Sequence, residues 1–460
     1  MKNLNSKFVY FICSVSAMGG LLFGYDWVVI GGAKPFYEVF FGIENSPSLQ
    51  GLAMSIAIAG CLVGAMTAGW LADRAGRKPM LIMAAILFLV SAYATGAVDG
   101  FTPFLIARLI GGVAIGIASG LSPMYIAEVS PSAIRGRLVS LNQLTIVLGI
   151  LAAQIANLLI ADPIPAGLTA PPADSWNVAM GWRWMFWGEV VPAAAFMIMV
   201  FFIPESPRWL AMKGRHSEAH AVLKNVGGAA YAATELATIE ARAAPAGESG
   251  GLKTLFSRPM RPVLLLGVIA AVFQQWCGTN VIFNYAQEIF ANAGFDLGDM
   301  LFNIVLTGIT NVVFTFVAIY TVDRIGRRAL MLAGAGGLAA IYAVLGTCYY
   351  FHVTGFFMVV LVVAAIACYA MTLGPVTWVL LAEIFPNRVR GIAMAVCTFA
   401  LWAGCFSLTY SFPLLNAGLG SYGTFWIYAA ICAVCLFYFV ARLPETKEKT
   451  LEQIERELIK

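Results

Sequence analysis

Two ionisable side chains stand where water is scarce. Asp26 sits in FGYDWVVIGG (residues 23–32), inside the first long apolar run. Arg108 lies roughly a third of the way into another, FLIARLIGGVAIGIASG. A charge at the centre of a membrane helix costs roughly 2.5–3.5 kcal/mol even on the lenient insertion scale. Residues kept at that cost mark ion or proton pathways, or else buried pairs, because a lone buried charge needs a partner. The other reactive residue types point elsewhere. His216 and His220 are spaced i, i+4 in a polar segment and read as a solvated face, so no metal site is expected. The nine cysteines all fall in apolar segments and read as small hydrophobes. Cys432 and Cys435 form a CxxC, but it has no second pair. There is no G-x-x-x-x-G-K-[ST] loop and no visible nucleophile–base set. An ATPase, an enzyme and a nucleic-acid binder are therefore not expected, and neither is a cofactor.

The composition says what must position these charges. The chain has 460 residues, 60% of them hydrophobic and 11% charged. A soluble domain is about 25% charged. The apolar residues come in blocks of about 20, the length that crosses a bilayer. Twelve spans are expected, near 8–32, 50–72, 79–98, 102–124, 136–160, 181–203, 262–292, 297–322, 329–351, 355–380, 390–412 and 420–442. Every backbone group in lipid needs an internal partner, so the spans should be helices and the fold an all-α membrane protein. The start, MKNLNSK, leads into the first span and has no A-x-A cleavage pattern, so it is not read as a signal peptide.

Lysine and arginine set the orientation. All 28 except Lys34, Arg183 and Arg108 fall at the N-terminus, in the tail, or in loops on one side. That side should be cytoplasmic, with both termini on it. Lys34 and Arg183 fall on the opposite side. Segment 204–258 should hold short amphipathic cytoplasmic helices, loop 161–180 should be irregular, and the tail 444–460 should end in a charged helix.

The two halves repeat. GWLADRAGRKP (69–79) echoes IYTVDRIGRRA (319–329), AEVSPSAIRGR (127–137) echoes AEIFPNRVRGI (382–392), and PESPR (204–208) echoes PETKE (444–448). The matches keep their order at one offset of about 250 residues, which implies a duplicated six-helix unit. The expected organisation is a six-helix bundle over 1–203, a linker over 204–258, a second bundle over 259–443 and a tail over 444–460.

With DRxGR followed by a basic residue in both halves, PESPRWL after span 6, QQWCGTN in span 7 and GPVTWVLLAEIFPNRVRG in span 10, the chain resembles the sugar porters of the major facilitator superfamily. PETK after span 12 adds to the likeness, which covers essentially the whole chain and looks closest to bacterial sugar–proton symporters of the xylose type. The resemblance implies a sugar site between the halves, lined by amides and aromatics. Amides donate and accept without charge, and aromatic faces pack on the C–H surface of a sugar. The matching residues are Phe23, Gln143, Gln274, Gln275, Asn280, Asn311, Trp378 and Trp402. Gln274 and Gln275 could share a cavity with Asn280 if span 7 is locally broken, which Gly278 would permit. The chain departs from the pattern at three positions. Asn284 replaces an outer-gate tyrosine, Leu401 replaces the amide before the span-11 tryptophan, and Ile150 replaces a second span-5 glutamine. No particular sugar follows from the resemblance.

The likeness also implies that Asp26 pairs with Arg108, and that Glu189 in GWRWMFWGEVVPA is a third coupling group. It places Asp73, Arg74, Arg77, Glu128, Arg135, Arg137, Glu205, Arg208, Asp323, Arg324, Arg327, Glu383 and Arg390 in an inner gate, pairing across the halves when the protein faces outward. Gly112, Gly116 and Gly120, spaced by four, read as a helix-packing stripe. The expected function is monosaccharide import with a proton by alternating access, in the cell inner membrane and as a monomer. A passive facilitator with a structural Asp26–Arg108 pair is the alternative. A sugar sensor is remote, since such relatives tend to carry longer tails.

Overall fold

In a computed structural model, residues 4–132, 134–163, 171–242, 252–386 and 389–447 are described. Among them there is helix and no strand. Eleven helical stretches are long and apolar enough to cross a membrane. The last, Arg390–Arg442, holds two spans that meet at Gly420, where φ is +68° and the helical path breaks. Twelve spans result. Their order is Ser6–Phe41, Pro47–Ala75, Arg77–Ala97, Phe101–Val129, Arg135–Ile160, Asn177–Phe202, Arg261–Asn284, Gly298–Val322, Arg327–Tyr350, Phe356–Ile384 and the two parts of Arg390–Arg442.

Several spans differ from their sequence reading. Span 1 runs to Phe41 and carries Pro35 inside it, so Lys34 belongs to the helix and is buried rather than in a loop. Arg183 is likewise buried within span 6. Span 7 is broken. It runs Arg261–Trp276, stops at Gly278 with φ +87°, resumes over Thr279–Asn284, and continues as Ala286–Asn292. Only glycine enters that left-handed conformation without steric cost. Span 10 breaks at Thr372, between Phe356–Met371 and Leu373–Ile384. Broken helices free backbone groups at membrane depth, which is tolerated where the backbone is buried or lines a cavity.

Between spans 6 and 7 lie short helices at Pro207–Met212 and Leu252–Leu255 and a longer one at His216–Arg242, bent at Gly228. Trp209, Leu210, Ala219 and Val222 form their small apolar core. The imidazole Nδ1 of His216 lies 2.8 Å from Glu240. Of loop 161–180, residues 177–180 already belong to the wide first turn of span 6, Asn177–Gly181. The proposed tail helix lies outside the described residues.

Two compact units emerge. One holds residues 1–27, 60–153 and 183–247; the other holds 28–59, 154–182 and 248–460. In the first, glycines bring helices into backbone contact. A Cβ on Gly24 would run into the carbonyl of Ile146, and one on Gly149 into that of Leu21, so spans 1 and 5 cross without side chains between them. A Cβ on Gly116 would lie 2.9 Å from Gly64 Cα, and one on Gly60 2.9 Å from Gly112 Cα. Gly120 faces open space and takes no part in this packing. Gly149→Val should therefore force spans 1 and 5 apart at a cost of about 1–3 kcal/mol. A thermal unfolding midpoint unchanged from wild type would show that the crossing is looser than this.

Candidate functional site

The first unit gathers Asp26, Arg108 and Glu189. Asp26 accepts a hydrogen bond at Oδ1 from Arg108 Nη1, and its backbone carbonyl accepts one from Nη2 at 3.1 Å. Both residues are about 1% exposed. The guanidinium also lies over the ring of Phe186, 5.4 Å from its centroid. Gly111 makes room for the carboxylate, since a Cβ there would stand 2.7 Å from Asp26 Oδ2. Glu189, 1% exposed, lies within electrostatic reach of both Asp26 and Arg108. Its position follows from a local turn at Gly188–Glu189 in span 6, where the Tyr25 hydroxyl packs against Gly188 and donates to the Met185 carbonyl at 3.3 Å.

Two carboxylates thus share one guanidinium. Asp26 Oδ2, Arg108 Nε and Glu189 Oε1 are buried and have no partner among the described residues. A buried polar atom left unpaired costs about 1–3 kcal/mol. Two unpaired carboxylate oxygens thus stand in one cluster with a guanidinium whose Nε–H is also unpaired. Phe23 and Gln143 are partly buried in the same unit, with the Phe23 ring 6.0 Å from that of Trp27.

The second unit joins three of the expected sugar-binding amides. Asn280 Nδ2 donates to Gln275 Oε1, Gln275 Nε2 donates to Gln274 Oε1 at 3.2 Å, and Gln274 Nε2 donates to the Gly374 carbonyl at 3.0 Å. The break at Gly278 brings Asn280 back onto Gln275, and the chain of amides ends on the broken span 10. Asn280 also approaches Cys405 Sγ at 3.8 Å on span 11. Asn311 and Trp402 are buried, whereas Trp378 is 37% exposed. The three departures, Ile150, Asn284 and Leu401, are all buried. One turn beyond Ile150, Gln154 supplies an amide that sequence reasoning missed, and its Nε2 donates to Thr307 Oγ1 at 3.3 Å.

The charges expected at an inner gate pair within each unit, in the same pattern twice. In the first, Arg77 Nε and Nη2 each donate to Glu128 at 3.0 Å, and Nη1 donates to Asp73 at 3.1 Å. Glu205 accepts the backbone N–H groups of Arg77 at 3.0 Å and Lys78 at 3.2 Å, which caps span 3. In the second, Arg327 Nη2 donates to Glu383 at 3.0 Å. There Glu445 accepts the backbone N–H groups of Arg327 at 3.0 Å and Arg328 at 3.1 Å. Gly76 and Gly326 sit beneath these two caps with φ +106° and +97°. The sequence missed Glu445, although the echo of PESPR in PETKE was its signal. Burial pushes the carboxyls of both caps up. At Glu445 the N–H donors of Lys447, Arg327, Arg328 and Thr446 outweigh burial and hold it below its usual range.

The remaining gate residues stay apart from these clusters. Arg135 donates to the Ser130 carbonyl at 3.3 Å, and Arg390 to the Phe385 carbonyl at 3.1 Å, at equivalent places in the repeat. Arg74 stacks on Trp70, its guanidinium carbon 4.0 Å from the ring centroid. Arg137, Arg208 and Arg324 form no ion pair among the described residues. The side chain of Asp323 lies outside the described residues.

Comparison with known proteins adds a second line. The family described as "Sugar (and other) transporter" matches residues 12–458. The arabinose–proton symporter of Bacillus subtilis is 37% identical over 454 residues, covering 98% of this chain and 96% of that protein. The D-xylose–proton symporter of Escherichia coli K12 is 35% identical over 481 residues, with 98% and 96% covered. The inward open conformation of the E. coli xylose transporter XylE superposes with a TM-score of 0.85 at 34% identity, over 98% of this chain and 100% of that one.

Proposed function

The chain belongs to the sugar transporter family, with the all-α major facilitator fold, and from that premise we propose that it imports a monosaccharide together with a proton by alternating access. It is a multi-pass membrane transporter and not an enzyme. The observation that carries the coupling is the buried cluster of Asp26, Arg108 and Glu189, with two carboxylates for one guanidinium and three polar atoms unpaired. The relatives named above, two of them sugar–proton symporters, support the same reading.

In this reading the bodies that rock are the two six-helix repeats, 1–203 and 259–443, tied by the linker 204–258. The basic loops face the cytoplasm, both termini included, and the membrane is the cell inner membrane. The protein works as a monomer in the bilayer. Asp26 takes the proton, Arg108 competes with it for the carboxylate, and Glu189 is the neighbouring acid. A change in the Asp26–Arg108 distance during the cycle moves Asp26 between loaded and empty states. Gln274, Gln275, Asn280 and Asn311, with Gln143 from the other repeat, bind hydroxyls. Phe23, Trp378 and Trp402 supply the apolar faces. The Arg77–Glu128 and Arg327–Glu383 clusters, with their capping glutamates, hold the cytoplasmic ends of each repeat. The pairs are partly buried, with the Arg77 and Glu128 side chains 5% and 12% exposed and those of Arg327 and Glu383 12% and 24%. Many that reorganise together can set the balance between states.

The direct test is purified protein in proteoliposomes, with xylose, glucose, galactose, arabinose and fructose offered in turn. Sugar-induced alkalinisation outside the vesicle is expected for at least one of them. Accumulation that never exceeds equilibrium for any sugar would give the case to the passive facilitator. Gln275→Ala interrupts the amide chain and should weaken binding of the accepted sugar by about 1–3 kcal/mol, roughly 5- to 150-fold in Kd. Equal affinity in titration calorimetry would remove Gln275 from the site.

A further inference from the structure

Lys34 is the one lysine among the described residues that is fully buried, at 1% exposure. It lies in the last turns of span 1, within the second unit, and holds two carboxylates at once. Glu38, one turn further along the same helix, stands 2.8 Å from Nζ. Glu288, on the far piece of the broken span 7, accepts a hydrogen bond from the same nitrogen. The ammonium also lies 5.6 Å from the ring centroid of Tyr285, the residue at the second break in span 7. Around this point span 1 is fitted closely to its neighbours. A Cβ on Gly31 would lie 3.0 Å from the carbonyl oxygens of Phe283 and Asn284, and one on Gly32 would run into the amide of Asn157.

We propose that Lys34, Glu38 and Glu288 form an ionic latch of the outer gate, in which Lys34 passes between a fixed partner and a releasable one. The proposal rests on the alternating-access reading above, which makes this end of span 1 the outer one. Glu38 and Lys34 share a helix and travel together. Glu288 rides on a short helical piece bounded by breaks, and its side chain is 19% exposed against 7% for Glu38. A buried ion pair is costly to break chiefly because it strands a charge. Here, as the outer piece of span 7 swings away, Glu38 keeps the ammonium neutralised and Glu288 swings into water. The second carboxylate therefore lowers the barrier to opening, while the first gives the closed gate its ionic hold. A plain structural pair would need only one acid.

This assignment makes opposite predictions for two removals of the same charge. Glu288→Gln takes away the releasable partner and should favour the open outer gate. Glu38→Gln takes away the fixed one, so that opening strands Lys34 and the gate stays shut. Amide hydrogen exchange of residues 279–292, measured by mass spectrometry on monodisperse full-length protein in nanodiscs, reads both. Exchange should rise at least about threefold in Glu288→Gln and fall at least about threefold in Glu38→Gln. Sugar counterflow should slow in Glu38→Gln. Shifts of the same sign in the two variants, or no shift in either, would overturn the latch. The exchange measurement needs no sugar, so it judges the latch even if wild-type counterflow fails and the transport reading falls.

Discussion

Asp26→Asn will leave sugar exchange intact and abolish accumulation. Asparagine keeps the size of the side chain and an oxygen that can still accept from Arg108 Nη1. The backbone carbonyl of Asp26 remains on Nη2 at 3.1 Å, and Phe186 remains under the guanidinium. Glu189 stays within electrostatic reach of Arg108. The protein should fold, bind sugar and carry out counterflow. What it loses is the group that gains and loses a proton during the cycle. A proton crossing with the sugar draws about 2.3 kcal/mol per 100 mV from the membrane potential, roughly a 50-fold concentration ratio. That ratio should collapse to unity in the variant, and the sugar-induced pH change should vanish with it. If the asparagine variant accumulates sugar and alkalinises as wild type does, the proton is carried elsewhere. If counterflow is lost as well, Asp26 serves the fold or the sugar and its assignment to coupling fails.

Most of the fold was legible because membrane burial leaves few options. Apolar blocks of bilayer length must be helices, and the repeated DRxGR and AExxPxxxRG stretches imply two halves. The breaks were harder. Gly278 could be read as permitting one, but nothing in composition separates a permitted break from a used one. The second break at Tyr285 and that at Thr372 carry no glycine at the break itself. Lys34 was misplaced for a related reason. Pro35 beside it looks like a helix end, yet the helix continues to Phe41, since span 1 has tertiary partners that outweigh the missing hydrogen bond. The i, i+4 spacing of Lys34 and Glu38 was the available sign that this segment is helical. The Gln154–Thr307 contact was out of reach, because a single amide in an apolar helix looks the same whether it glues helices or meets a ligand.

Arg108→Met tests the same cluster from the opposite side. Methionine fills comparable space and continues to pack on Phe186, so little of the effect will come from a cavity. The change instead strands Asp26 and Glu189, both 1% exposed, with no cation between them. Losing one partner of a buried ion pair costs about 3–5 kcal/mol, most of it the penalty of the charge left behind. The variant should show a much lower unfolding midpoint or fail to accumulate in the membrane. Adding Asp26→Asn removes one of the stranded acids, so the double variant Asp26→Asn/Arg108→Met should be more stable than Arg108→Met alone. That reversal separates an electrostatic role from a packing role, because a packing defect at Arg108 would persist in the double variant. Contacting residues commonly couple by 0.5–3 kcal/mol, and the Asp26–Arg108 pair belongs at the upper end of that range. Strictly additive losses in the double-mutant cycle would mean that the two side chains do not hold one another, and the coupling site would then have to be sought around Glu189.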